Sequence, residues 1–124
     1  MAETPIPEAV GAFIGRYIGS VAELEALLLL CGQTETWWDS VTVAGRLYVT
    51  DAAAAEILAQ LRADGLATAD AGRYRYDPAT PELRDTVERL AETYSRYLIP
   101  VTNMIHHNPL RLRRFADAFR FRKD

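Results

Sequence analysis

Cysteine is almost missing from this 124-residue chain: Cys31 stands alone, so no disulfide within the chain can form. Set in Leu27-Leu28-Leu29-Leu30-Cys31, that thiol reads as a small buried hydrophobe rather than a redox or metal residue. Long hydrophobic runs are missing too. None approaches the roughly 20 residues a membrane helix needs. No charged leader with an apolar core precedes a cleavage site, which makes the cytoplasm the expected location and excludes a membrane role. Catalytic signatures are equally scarce. There is no serine or cysteine nucleophile with a local base and no glycine-rich phosphate loop, and the carboxylates fall at surface helix spacing, so no enzymatic role and no cofactor is expected. His106-His107 are adjacent, which on a helix points them about 100° apart and makes joint ligation of one metal ion awkward; capping or interface roles fit them better.

What is present is the make-up of one folded domain, with 49% apolar and 25% charged residues. The net charge of −3 hides an asymmetry. Residues 1–110 hold 8 basic against 15 acidic side chains, and residues 111–124 hold 6 against 2. An acidic body with a basic tail is a weaker nucleic-acid footprint than a uniformly basic domain. Neither repeats nor low-complexity linkers appear.

Periodicity predicts mainly helical structure. After a proline-bearing arm, Val10, Phe13, Ile14, Tyr17 and Ile18 lie at helical spacing within residues 8–18, although Gly11 and Gly15 weaken that helix. Residues 1–19 are therefore an arm with a short helix. Ser20-Val21-Ala22-Glu23 fits a capping box for a second helix, striped by Leu24, Leu27, Leu28 and Cys31 and ended by Gly32. Beyond Trp37-Trp38 a short helix spans about residues 39–47, Tyr48-Val49-Thr50 turn, and Thr50 or Asp51 caps a helix running to about Ala63. Asp64-Gly65 stops it. Residues 66–69 and 73–77 then read as strands about Asp70-Ala71-Gly72, with Tyr74 and Tyr76 on one face and Arg73 and Arg75 on the other.

Thr80-Pro81-Glu82 starts a long helix over residues 80–107. Leu83, Val87, Leu90, Tyr94, Tyr97, Val101 and Met104 recur at spacings of 4, 3, 4, 3, 4 and 3, a heptad seam. Four-residue ion pairs (Arg84 with Glu88, Asp85 with Arg89, Glu92 with Arg96) mark its solvated side. Pro100 predicts a kink, or a junction of two helices, near residues 96–100. The seam packs either within the chain or, as the favoured reading, against a second copy in a homodimer. Asn108-Pro109 starts a basic amphipathic helix over residues 108–124 that would bury Leu112, Phe115 and Phe119. Its arginines form a solvated face, a supplementary phosphate contact or a dock for an acidic partner.

Helix, tight turn, helix and hairpin in residues 20–77 resemble the winged helix-turn-helix proteins, especially small bacterial regulators of the MarR and PadR type, with the heptad helix as the dimerisation element. The segment Arg114-Phe115-Ala116-Asp117-Ala118-Phe119-Arg120 is similar to the tail of uncharacterised bacterial proteins of this kind. The resemblance implies a transcriptional regulator that binds double-stranded DNA, with residues 51–63 as recognition helix. Arg46, Arg62, Arg73 and Arg75 would then hold phosphates, while Gln60, Glu56 and Thr50 are what that helix offers toward DNA. Four phosphate contacts correspond to a salt slope of about −3.6. The outward positions Ala52, Ala55, Ala59 and Ala63 lack the donors and acceptors that base reading needs. The alternative is a winged-helix protein-interaction module whose recognition-helix face holds a protein partner. Trp37 and Trp38 either line an effector pocket or split between the core and the turn.

Overall fold

The computed structural model describes residues 5–114; the expected packing of Phe115 and Phe119 lies outside them, whereas Leu112, expected to be buried with them, is 72% exposed. The chain is mainly α with one small antiparallel hairpin. It divides into two compact units, residues 22–88 and residues 1–21 with 89–124.

The first of these contains α2 (Val21–Gly32), α3 (Ser40–Leu47), α4 (Asp51–Ala63), β1 (Ala67–Asp70) and β2 (Arg73–Tyr76). Local chemistry fixes each boundary. The Asp39 carboxylate accepts the Thr42 amide at 2.8 Å and the Thr50 hydroxyl accepts the Ala53 amide at 3.0 Å, so both short helices begin at side-chain caps. Gly65, at φ 78°, lets the chain leave α4 while the Leu66 amide returns to the Leu61 carbonyl at 3.0 Å. The hairpin turns at Ala71 and Gly72, both at positive φ, and pairs Ala67 with Tyr76 through Asp70 with Arg73. β1 starts one residue later than the pattern predicts, yet Leu66 still accepts the Asp77 amide at 3.0 Å. Trp38 adds a third extended segment: its amide and carbonyl bond Tyr74 at 2.7 and 2.8 Å. Leu24, Leu27, Leu30, Val43, Leu58 and Leu66 are sealed in the core. Cys31 is only half-buried; burial pushes its thiol above its ordinary pKa, which keeps it protonated at neutral pH.

The other unit is built on α1 (Glu8–Tyr17), the end of α5 (Pro81–Arg96), α6 (Leu98–His106) and helical backbone at residues 109–114. α1 forms despite its glycines because Val10, Phe13 and Ile14 are buried on one face. Two helices meet at Tyr97, three residues before the proline. Pro100 has no amide to give the Arg96 carbonyl; by restarting at Leu98, the chain puts it in a first turn, where amides lack helical partners anyway. Buried Asn108 joins this unit across its ends. Its side-chain amide donates to the carbonyls of Ile14 and Ile18 at 2.9 Å each, and its carbonyl oxygen accepts the Leu110 amide at 3.1 Å. Among the described residues no helix is long and apolar enough to cross a membrane.

The seam needs correction as an intermolecular surface. Val87, Leu90 and Val101 are fully buried within the single chain, so three of its seven positions cannot meet a second copy. Leu83, Tyr94 and Met104 are half-buried and Tyr97 is exposed, which leaves no continuous stripe. Of the expected ion pairs, Glu92–Arg96 closes at 3.9 Å between two exposed side chains, a contact worth little in water. Arg84 lies over the Tyr76 ring at 5.5 Å.

Candidate functional site

The α3–turn–α4 segment and the hairpin bring the sequence-nominated residues into one unit, but they do not leave all of them free. α4 buries Ala54, Leu58 and Leu61. That places Ala52, Ala55, Glu56, Ala59 and Ala63 on its exposed side, as the spacing predicts, and Arg62 is exposed as well. Gln60 departs from this pattern. It is half-buried, and its amide donates to the Asp64 carboxylate at 2.9 Å. Thr50 likewise uses its hydroxyl to cap the helix. The exposed face of α4 is therefore alanine, flanked by Asp51 and Glu56 near its start and Arg62 in its last turn.

The arginines differ among themselves. Arg46 is exposed and its guanidinium lies 5.3 Å from the centre of the Trp38 ring. Arg75 is half-buried and stacks on Trp37 at 4.7 Å, an arrangement in which the guanidinium face is occupied by the indole. Arg73 is exposed at the hairpin turn, cross-strand from Asp70. Its charge also reaches Asp39. That carboxyl is held below its ordinary pKa, chiefly by the Thr42 amide and then by the Thr42 hydroxyl, with Arg73 a smaller contributor. The wing thus offers one open cation, not a matched pair. Trp38 is buried and Trp37 half-buried, so the two indoles split between core and surface.

Residue 48 carries a signal that composition and periodicity do not show. Tyr48 ends α3 in the left-handed region, at φ 59° and ψ 43°, and is 94% exposed. A side chain with a Cβ pays about 1–2 kcal/mol for that conformation. Here it holds a large aromatic ring in water at the tip of the turn before α4. Val41, 63% exposed, lies on the preceding helix. Residues 22–88 hold twelve acidic and five basic side chains, a net of −7.

Among the described residues, no three His, Cys, Asp or Glu side chains gather as a metal site, and the His107 ring nitrogen Nδ1 lies 2.8 Å from the Asn103 carbonyl. No protein-family model, no curated protein and no solved structure matches this chain.

Proposed function

We propose that residues 20–77 form a winged helix that works by holding a protein partner on α4 and the turn before it, in a chain without catalysis of its own. The observation that carries this reading is the state of the α4 face. Its possible base readers, Gln60 and Thr50, each spend a group within the chain, and what remains exposed is alanine with Asp51, Glu56 and, in the last turn, Arg62. Base recognition needs free donors and acceptors. Helix packing needs small side chains that admit close approach, and an alanine face supplies them. Tyr48 adds an amphipathic anchor of the kind that dominates protein interfaces. The helix order, the hairpin and the Trp38–Tyr74 bridge support the winged-helix assignment.

The test compares partner capture by the intact chain with capture by Tyr48→Asn and Ala55→Arg. Asparagine tolerates the left-handed backbone, so the first change removes the ring and keeps the turn. The expected result is a partner recovered by the parent and lost by both variants. A partner retained by both would sink the proposal.

A second reading, a DNA-binding transcriptional regulator, is favoured by the exposure of Arg46, Arg62 and Arg73. It predicts submicromolar binding of genomic fragments at low salt, measured by fluorescence anisotropy. The salt slope would be about −2.7 for three phosphate contacts, and binding would be lost in Arg62→Ala with Arg73→Ala. Loss of that binding in Tyr48→Asn alone, with the arginines intact, would count against it.

A further inference from the structure

A second surface lies on the unit of residues 1–21 and 89–124. α1 and α6 leave an open groove of about 570 Å³ between them, lined among others by Ile6, Gly11, Gly15, Pro100, Met104 and His107. The glycines shape it. A Cβ on Gly11 would sit in ordinary contact with the Met104 thioether, at 3.7 Å, so Met104 lies directly beneath this glycine. One turn later, a Cβ on Gly15 would meet nothing within 4 Å, so the trough there is bare. Immediately before groove-lining Pro100 come Leu98 and Ile99, 52% and 63% exposed. Apolar residues thus continue from the groove onto the surface beside Pro100.

The surrounding charge is predominantly positive. The described residues of this unit carry six arginines against Glu8 and Glu92. Arg16 follows Gly15, Arg96 stands one turn before Pro100, and Arg111 and Arg113 follow groove-lining Pro109; all four are exposed. Arg114 turns inward to the Tyr17 carbonyl at 2.9 Å, and Arg96 is shared with Glu92.

We propose that this groove docks an acidic amphipathic helix of another protein. Its apolar side chains would enter the trough between α1 and α6, and its carboxylates would face Arg16, Arg111 and Arg113. Charge complementarity selects the occupant. A second copy of this unit would bring arginines against arginines, whereas an acidic helix meets them. The concavity disfavours a membrane, because an apolar trough takes side-chain knobs and a bilayer presents none. The groove belongs to one unit and α4 to the other, so the two proposals stand or fall independently.

The probe is a fluorescein-labelled helical peptide of about 18 residues, long enough to hold helix on docking. Leucines recur on one face and glutamates occupy the rest. Anisotropy with the intact chain is expected to show binding that weakens from 50 to 500 mM salt. Gly15→Leu, which fills open space and favours helix, is expected to weaken it at least tenfold with unchanged circular dichroism. Arg111→Glu with Arg113→Glu is expected to do the same, while Tyr48→Asn leaves it unchanged. The proposal is overturned if the peptide does not bind, or if a peptide with scrambled leucine spacing binds equally. Wild-type affinity in either groove variant, or capture by anionic phosphatidylglycerol vesicles that Gly15→Leu does not affect, overturns it too.

Discussion

Asn108→Ala is the substitution whose effect is best defined by the geometry. The Asn108 side chain is 8% exposed and makes three hydrogen bonds, two as donor to the Ile14 and Ile18 carbonyls and one as acceptor from the Leu110 amide. The Ile14 carbonyl keeps the Ile18 amide at 3.0 Å as a partner, so its loss is the smaller of the two. At about 1 kcal/mol net per bond, plus a penalty for leaving a buried acceptor without a donor, the variant should lose about 2–4 kcal/mol. Urea slopes for small domains are about 1–3 kcal/mol per molar, so the midpoint followed by far-UV circular dichroism should fall by about 1–2 M. Asn108→Asp sharpens the test. A carboxylate there would face two carbonyl oxygens, whereas a carboxylic acid can still donate to one of them. Its folded pKa must therefore rise above the unfolded value of about 3.9. The sign follows: stability is retained below the unfolded pKa and lost as pH rises through the folded one. The aspartate variant should be least stable near neutrality and approach the parent in acid. A midpoint shift for Asn108→Ala equivalent to less than about 0.5 kcal/mol, well below the value of even one bond, would refute the assignment.

Leu90 is sealed within the chain, so Leu90→Ala should destabilise it by about 2–5 kcal/mol. Light scattering should meanwhile report the 13.9 kDa mass of a single chain for parent and variant alike; a parent at twice that mass would restore the intermolecular seam. Ala71 turns at φ 52°, so Ala71→Asn, a residue that tolerates this region, should raise stability by about 1 kcal/mol in urea titrations, and an unchanged midpoint would count against the turn assignment. Asp39→Ala removes the cap of α3. Because the folded Asp39 pKa is depressed, its contribution is present above the unfolded pKa and is lost as pH falls through the folded one. Parent and variant should therefore differ at pH 7 and converge in strong acid, and a difference that persists there would exclude the cap as its source.

Legibility differed from element to element. The start of α4 was plain because Thr50 and Asp51 are cap formers before an apolar stripe, and its end because Asp64-Gly65 needs no long-range contact to turn. The alanine face was readable for the same reason, since helical spacing alone places Ala52, Ala55 and Ala59 opposite Leu58 and Leu61. The break in the long helix was expected within residues 96–100 and falls there, at Tyr97, because a proline fits the first turn of a new helix better than the interior of an old one. The heptad seam left its partner open: periodicity says that Val87, Leu90 and Val101 must be covered and is silent on which chain covers them.

The sequence by itself determined where helices and the hairpin lie, because caps, glycines and apolar spacing act over a few residues. It also placed Asn108 at the start of a helix, as the bond to the Leu110 amide shows. Only the tertiary structure decided that the same side chain holds Ile14 and Ile18, about ninety positions away. A hydrogen bond to a distant carbonyl leaves no periodic mark in the chain. The left-handed Tyr48 was hidden for a related reason: helix spacing carries no information about the φ of the residue that ends it, and that residue holds an exposed ring at the tip of the turn.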